Sequence, residues 1–454
     1  MTQTIKIDYL ETHQTIEGFG CFGGREIPFF RDEKREDIMK ALFQDLQLSI
    51  VRTEVHPNFS TKPGERNFDM QANLDIPPND PYFDNPDQDE VERRSQLWVL
   101  KNAKQQNPHI KIVPSVWSPP YYMKTVFKKL SKNYYTEFAN FLADYIEAYE
   151  EAGLSIFAMS PQNEPENIIS PWDVCLWLPS DTASFVKKHM KPIFKQRNLE
   201  TKVMVGESAN WGFNSIMLNL VSWFIKDKKN IDILASHAYS LPNLKGEVVY
   251  DTNPVGQLPS GYQSAWITES CGTPQFDPSM KEGLQAAINL HKFLAVKNVN
   301  AYIFWLGMYG GKSNQALISS DGIGSYQLTK VYDVMGNYSR YVKEGYRRIT
   351  TNSSQLASTL YVSAFKAESE KLTIITINES DNEVPISIQL EQAPPSIQTL
   401  IPYRTPEEIG VRWQEEEAIH TLDGAFKSTL FPHSVTTFTS SNTEEQSKII
   451  SISL

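Results

Sequence analysis

Short apolar runs alternate with amphipathic stretches from Ile16 to Lys343. Runs of this length, between segments of helical periodicity, are typical of buried parallel strands. The predicted strands are Ile16–Phe19, Ser49–Val55, Lys111–Trp117, Ile156–Met159, Lys202–Gly206, Ile231–His237, Ala265–Thr268 and Ala301–Trp305. The predicted helices are Glu33–Gln44, Val91–Gln106, Tyr134–Glu151, Thr182–Gln196, Ser215–Lys228, Met280–Lys297 and Tyr326–Val342. This alternation predicts an α/β fold, a (β/α)8 TIM barrel rather than an open sheet.

The sixth connection departs from the pattern. The segment Ser240–Gln263 contains Pro242, Pro254 and Pro259, and proline removes a hydrogen bond from a helix, so we expect a loop. Beyond Tyr346 the chain changes to short β-rich runs separated by turn residues, which predicts a fused β-sandwich. Its predicted strands are Leu360–Phe365, Leu372–Ile377, Ile386–Leu390, Ile397–Ile401 and Val435–Phe438.

The alternating segment Ile5-Lys6-Ile7-Asp8 precedes the barrel and needs a sheet against which to bury one face. The sandwich is the nearest candidate. We therefore expect residues 15–345 to form the catalytic barrel, and residues 1–14 plus 346–454 to form a discontinuous antiparallel β-sandwich. The polar segment Ser440–Lys448 is expected to be mobile.

Two predicted strands lead to a glutamate. Glu164 lies in Ser160-Pro161-Gln162-Asn163-Glu164-Pro165-Glu166, and Glu269 lies in Trp266-Ile267-Thr268-Glu269-Ser270. The carboxyl ends of the strands are where α/β barrels assemble their chemistry, and two carboxylates on different strands are the minimum for retaining glycoside hydrolysis. One of the two carboxyl groups must be ionised to attack the anomeric carbon. The other must hold a proton for the leaving oxygen, so the pKa of that second group must be raised. For Glu166 we expect an ordinary role as an acidic residue in the first turn of a helix.

Other strand ends carry polar or aromatic side chains. Arg52 is either a salt bridge at the barrel mouth or a charge that keeps a neighbouring carboxylate ionised. His237 is equally compatible with a structural and a functional role, and Tyr239 follows it. Trp117 and Trp305 each end a strand, and at this end of a barrel substrate contact is favoured over a core position. The candidate aromatic platforms for substrate are Trp117, Trp172, Trp177, Trp211, Tyr239, Trp305 and Tyr309.

One glycine-rich motif points elsewhere. Gly18-Phe19-Gly20-Cys21-Phe22-Gly23 satisfies the dinucleotide pattern G-x-G-x-x-G, but Gly24 and Pro28 interrupt the helix that should follow. We expect instead a glycine-rich turn after the first barrel strand, where the backbone passes close to a substrate.

Composition narrows the class of protein. The 454 residues include 9 Trp and 20 Tyr, enough for a large core and for surfaces that stack on sugar rings. The net charge of −11 argues against nucleic acid as a partner. Three cysteines form neither a disulfide framework nor a zinc site, and no apolar run reaches the ~20 residues of a membrane span. The N-terminus has no signal-peptide core. We expect a secreted monomer whose signal peptide is absent from this sequence, with a cytoplasmic location as the alternative.

Taken together, the motifs resemble glycoside hydrolase family 30, a family of retaining (β/α)8 hydrolases. The matching segments are Gln14–Gly20, Val116–Lys124, Ser160–Glu164, Trp266–Glu269 and Leu430–Val435, and the resemblance extends over nearly the whole chain. It implies that Glu269 is the nucleophile and must be ionised, and that Glu164 is the acid/base, whose pKa is then expected to be raised. It also implies that Asn163 bonds the sugar 2-hydroxyl, that Arg52 and Tyr239 flank the nucleophile, and that no metal or cofactor is needed.

The resemblance leaves the substrate open. Family members cleave xylan, β-1,6-glucan, β-1,6-galactan or glucosylceramide, and some release single sugars. Three features resemble the xylanase branch: the poorly helical sixth connection, Trp172–Trp177 and Gln315–Ile318. Glucuronoxylan-specific members carry an arginine after strand eight, whereas Leu306–Gly324 here contains Lys312 and no arginine. We therefore expect an endo-β-1,4-xylanase without strict glucuronate dependence. The alternatives are a β-1,6-glucanase, an exo-acting β-xylosidase or β-glucosidase, and a non-catalytic carbohydrate-binding relative.

Overall fold

The computed structural model describes residues 2–23, 27, 30, 32–59, 95–242, 248–320, 324–352 and 356–441. After β1 (Gln3–Thr15), eight parallel strands form a barrel. They are β2 (Gly18–Phe22), β3 (Ile50–Glu54), β4 (Lys111–Ser115), β5 (Ala158–Met159), β6 (Lys202–Ser208), β7 (Ile233–His237), β8 (Ser264–Glu269) and β9 (Ala301–Tyr309). Their order is β4-β3-β2-β9-β8-β7-β6-β5, and the bridges Ile112–Ile156 and Ser115–Ser160 join the two ends. The predicted α/β barrel is confirmed.

Helices surround the barrel. They are α1 (Asp32–Lys40), α2 (Gln96–Gln106), α3 (Tyr135–Glu151), α4 (Pro179–Phe185), α5 (Lys191–Gln196), α6 (Trp211–Ile225), α7 (Met280–His291) and α8 (Lys330–Ser339). π-helical turns at Ala41–Asp45, Val186–Met190 and Lys292–Val296 extend α1, α4 and α7, and short 3-10 turns lie at Tyr121–Met123, Lys132–Tyr134 and Lys228–Asn230. The described part of the sixth connection contains no helix. Among the described helices, none has the length and apolar character that crossing a bilayer requires.

One predicted helix begins later than expected. Tyr326–Leu328 is not helical but forms β11, antiparallel to β10 (Ala316–Ser320), which itself lies parallel to β9. Helix α8 begins only at Lys330, because the Thr329 hydroxyl accepts a hydrogen bond from the Tyr332 amide at 3.2 Å and caps the helix there. The predicted start of another helix, residues 91–94, lies outside the described residues.

A second sheet forms the sandwich domain. Its strands after the barrel are β12 (Arg347–Asn352), β13 (Leu360–Lys366), β14 (Leu372–Asn378), β15 (Val384–Glu391), β16 (Thr399–Thr405), β17 (Gln414–Glu415), β18 (Ile419–His420), β19 (Ala425–Leu430) and β20 (Ser434–Ser440). β1 lies between β12 and β15 and buries Ile5 and Ile7. The pairing of β1 with β15 is parallel, which corrects the expectation of a wholly antiparallel sandwich. No hairpin joins these two strands, so no turn dictates their direction. The domain limits stay predictions, and most of Ser440–Lys448 lies outside the described residues.

The glycine-rich motif also has a different explanation. Gly18, with φ of +140°, and Gly20 lie within β2 itself, and a Cβ on either would overlap Ser49 or Ile50 of the neighbouring strand segment. Glycine is therefore required for close strand packing and not for approach to a substrate. Gly24 and Pro28 lie outside the described residues.

Candidate active site

The carboxyl ends of the barrel strands meet at a cleft of 410 Å³. Its lining is aromatic and polar, and consists of Trp117, Asn163, Glu164, Asn167, Trp172, Ala209, Tyr239, Val248, Glu269, Cys271, Trp305, Leu306, Tyr309 and Gln315. Glu164 and Glu269 are the only charged side chains in this set. Both are largely buried.

The two glutamates lie close together. A carboxylate oxygen of Glu164, a carboxylate oxygen of Glu269 and a ring nitrogen of His237 all lie within 4.8 Å of one another. Retaining glycosidases hold their two carboxyl groups about 5–5.5 Å apart, whereas inverting enzymes leave about 6.5–9.5 Å for a water molecule. An oxygen–oxygen distance of at most 4.8 Å fits the retaining spacing better than the inverting one.

Glu269 is held on both of its oxygens. Arg52 Nη1 lies 2.7 Å from Oε2, and the Tyr239 hydroxyl donates to Oε1 at 2.8 Å. Burial is the largest cause of the raised pKa of Tyr239, and the nearby Cys271 and Glu269 raise it further. The hydroxyl therefore keeps its proton and remains a donor. Arg52 Nη2 donates to Asn163 Oδ1 at 2.6 Å. This leaves the Asn163 amide nitrogen as the group that can donate to a sugar hydroxyl.

Glu207, at the end of β6, is a buried carboxylate that the sequence analysis missed. Its Oε1 accepts a hydrogen bond from Ser115 at 2.9 Å. Its Oε2 accepts from Thr268 at 2.5 Å and lies 3.1 Å from His237 Nε2 and 3.4 Å from Arg52 Nη2. Burial alone would raise the pKa of Glu207, but the Arg52 charge and the bonds from His237 and Thr268 lower it to about 2.

His237 is fully buried between these carboxylates. Its Nε2 faces Glu207, and its Nδ1 lies 3.4 Å from Glu164 Oε1. Burial opposes a charged imidazole, yet the Glu269 charge, the close contact with Glu164 and the bond to Glu207 raise the pKa of His237 to about 10. His237 is therefore an imidazolium at neutral pH, and it does not line the cleft.

Glu164 differs from expectation in its protonation. Burial raises the pKa of this carboxyl, but the nearby His237 charge, together with a 2.9 Å hydrogen bond from Asn167, lowers it overall. The expected raised pKa is thus not what the surroundings impose. The effect comes from the distance to His237, which the sequence does not reveal.

The aromatic candidates divide into two groups. Trp117 and Trp305 form a cluster with ring centroids 5.9 Å apart in the cleft, and Trp172 and Tyr309 line it with rings that remain partly exposed. Trp211 does not reach the cleft. It is buried at the start of α6, packs on Phe293 and donates to the Gly256 carbonyl.

Two further residues are placed differently from expectation. Trp177 is also buried outside the cleft, stacked on Tyr135. No helix follows Glu166, which instead accepts a hydrogen bond from the Ala209 amide at 2.8 Å. It therefore ties the loop after β5 to the loop after β6.

Glu164, His237 and Glu269 carry atoms of the kinds that bind metal ions. In this arrangement, however, Arg52 and Tyr239 already contact the Glu269 carboxylate, and Glu207 contacts His237. The carboxylates are balanced by an arginine and an imidazolium of the protein itself. The cluster is therefore an ion-pair network within the protein.

Both domains of the chain match models of one known protein family. Residues 17–208 match the glycosyl hydrolase family 30 TIM-barrel domain, and residues 345–438 match the glycosyl hydrolase family 30 beta sandwich domain. A glucuronoxylanase from Bacillus subtilis (strain 168) is 26% identical over 314 residues, which are 65% of this chain and 67% of that protein. An endo-1,6-beta-D-glucanase from Neurospora crassa is 27% identical over 113 residues, 23% of this chain and 24% of that protein. The catalytic domain of a family 30 xylanase from Talaromyces cellulolyticus superposes with a TM-score of 0.77 at 20% identity, covering 97% of this chain and 100% of that one.

Proposed function

The chain belongs to glycoside hydrolase family 30, whose members are retaining O-glycoside hydrolases, and we propose that it is an endo-β-1,4-xylanase without strict glucuronate dependence. In this proposal Glu269 is the nucleophile and Glu164 the general acid/base. Asn163, Arg52, Tyr239, Trp117 and Trp305 bind substrate or hold the nucleophile. The observation that carries the proposal is the pair of carboxylates in a cleft that is otherwise aromatic and uncharged among the described residues.

The chemistry follows from the two environments. Arg52 contacts one carboxylate oxygen of Glu269, and Tyr239 donates a hydrogen bond to the other. The carboxylate is therefore oriented for attack on the anomeric carbon. Glu164 lies across the cleft and protonates the leaving oxygen, then activates water once the glycosyl-enzyme has formed. A binding protein has no use for such a pair, which argues against the non-catalytic alternative.

The lining favours a neutral, chain-like substrate. Aromatic faces suit the apolar faces of pyranose rings, and no cation lines the described cleft to select a charged side group. Lys312 is exposed and is absent from the lining. The partly exposed Trp172 and Tyr309 offer platforms for sugar units beyond the one cleaved, which supports endo action. The longer match to a glucuronoxylanase than to a glucanase supports xylan as the first choice, with β-1,6-glucan as the alternative.

Two experiments test the proposal. A product profile on xylan, arabinoxylan, β-1,6-glucan and aryl β-glycosides should show xylo-oligosaccharides of several lengths. Products from β-1,6-glucan alone would favour the glucanase, and single sugars alone would favour exo action.

A 2-deoxy-2-fluoro glycoside with a good leaving group should label the wild-type protein on Glu269, as read by peptide mass spectrometry. Glu269→Gln should abolish the label, whereas Glu166→Gln, a matched change outside the cleft lining, should retain it.

A further inference from the structure

We propose that the proton delivered to the leaving oxygen is shared by a buried Glu164–His237 pair. In this proposal Glu207 is the positioning residue that keeps the proton on His237 in the resting protein. The inference rests on the proposed function, in which Glu164 is the general acid. It adds two buried groups to the reaction, neither of which lines the cleft.

The geometry gives His237 two distinct contacts. Its Nε2 lies 3.1 Å from Glu207, and its Nδ1 lies 3.4 Å from Glu164. The Nε2 proton is held in the hydrogen bond to Glu207, because that carboxylate stays ionised and is buried away from solvent. Nδ1 is therefore the nitrogen that can give a proton to Glu164 or take one from it.

Glu207 is suited to hold the pair rather than to react. Hydrogen bonds from Ser115 and Thr268 and the contacts with Arg52 and His237 occupy both of its oxygens. It is a fixed negative charge beside the imidazole. The other charged groups that face His237 are Arg52, Glu164 and Glu269, and the protonated Tyr239 ring lies with its centroid 5.8 Å away. Arg52 favours loss of the proton, and the carboxylates oppose it.

The proton path balances over one catalytic cycle. In the first step the proton passes from His237 Nδ1 to Glu164 and on to the glycosidic oxygen. The bond from this oxygen to the anomeric carbon breaks, and a Glu269 carboxylate oxygen forms an ester to that carbon. In the second step water attacks the same carbon and the ester breaks. The proton of the water returns through Glu164 to His237.

This arrangement accounts for an acid whose own pKa is lowered. The proton resides on His237 in the resting protein and crosses one contact to reach Glu164, which passes it on when the leaving oxygen develops charge. Two groups coupled in this way lose the proton at a pH that belongs to the pair and not to either residue. The negative charge of Glu207 raises that pH, so removing the charge should lower it.

The first test needs no substrate. NMR of the protein labelled at histidine Cε1 follows all 8 histidines, and loss of one signal in His237→Gln identifies His237. In the wild type His237 should remain cationic up to a pH of about 10. Glu207→Gln should lower this midpoint by about 1–3 units. Ser115→Ala removes a neutral bond to the same carboxylate and should leave the midpoint in place. A neutral His237 in the wild type at pH 8 would overturn the proposal.

The second test uses the pH profile of kcat/KM. With a poor leaving group, the alkaline limb of Glu207→Gln should lie at lower pH than that of the wild type. With a dinitrophenyl glycoside, which needs no protonation, the two limbs should coincide. Glu207→Asp keeps the charge and should restore the wild-type limb. An unmoved limb together with a lower Tm would show a purely structural role and refute the inference. Absence of any glycosidase activity in the wild type would instead refute the proposed function.

Discussion

The backbone amide of Glu164 donates a hydrogen bond to the carbonyl oxygen of Glu207 at 2.9 Å, and both residues have positive φ, +42° and +63°. Non-glycine residues rarely adopt this conformation, and such strain gathers at functional sites where the surroundings fix it. The bond joins the loop after β5 to the end of β6. It fixes the backbone of the proposed acid to the residue that anchors its histidine partner.

The proposed role of Glu164 as general acid predicts that activity depends on the leaving group. Glu164→Gln should lower kcat/KM on a natural β-linked substrate by about 10²–10⁴-fold, because general acid assistance is lost. The same substitution should lower kcat/KM on dinitrophenyl glycosides far less, because their leaving group needs no protonation. Glu166→Gln is the matched control, and it should not change the ratio between the two substrates. Equal losses on both substrates in Glu164→Gln would contradict the assignment, which steady-state kinetics with the two leaving groups would reveal.

Much of the barrel could be predicted because its strands are buried on both faces and appear as short apolar runs. Glu164 and Glu269 could be found because each follows such a run. Glu207 carried the same signal, following Val203–Gly206, and could have been found by the same rule. What the sequence could not supply was its set of partners, since Ser115, Thr268 and His237 come from three other parts of the chain.

Side-chain direction was the other limit. Trp172 and Trp211 both follow barrel strands, and the sequence predicts a substrate platform for each. Trp211 is the first residue of α6, and packing against Phe293 turns its ring inward. The lowered pKa of Glu164 was likewise beyond the sequence, because it depends on the contact with His237.

The cleft aromatics predict a binding effect for one exposed tryptophan. Trp172→Ala should raise KM on an oligosaccharide about fivefold, equivalent to about 1 kcal/mol of lost ring stacking. Trp223→Ala is the control, because this ring is exposed on α6 and does not line the cleft. Its KM should equal that of the wild type. A rise in KM for Trp223→Ala, or none for Trp172→Ala, would place the substrate elsewhere on the surface.

The N-terminal strand should matter for stability and not for chemistry. Ile7→Ala removes a fully buried side chain between β12 and β15, and should lower the free energy of unfolding by about 2–5 kcal/mol. Lys6→Ala, at the adjacent position, loses an exposed ion pair with Glu391 and should cost less than about 1 kcal/mol. Denaturant unfolding measures both. Since β1 lies in the sandwich sheet, kcat/KM should remain at the wild-type value in each variant.

His237 should make stability depend on pH. Its pKa rises from about 6.5 in the unfolded chain to about 10 in the folded protein. The folded state therefore binds this proton more tightly, which stabilises the protein fully below about pH 6.5 and is lost as pH rises towards 10. The difference in unfolding free energy between the wild type and His237→Gln should shrink over this window. A difference that is constant or that grows with pH would contradict the raised pKa.

Among the described residues no cation lines the cleft, and this predicts how the enzyme treats branched xylan. Specific recognition of a glucuronate carboxylate requires a positioned cation, and arginine serves best because its fork binds both oxygens. Leu306–Gly324 contains no arginine, and Lys312 is an exposed point charge outside the cleft lining. Enzymatic removal of glucuronate from xylan should therefore change kcat/KM by less than about tenfold, or ~1.4 kcal/mol of transition-state stabilisation. Lys312→Ala should leave this ratio unchanged. A larger loss of kcat/KM on the debranched polymer would contradict this prediction. If Lys312→Ala then showed the same loss on the branched polymer, glucuronate recognition would be assigned to Lys312.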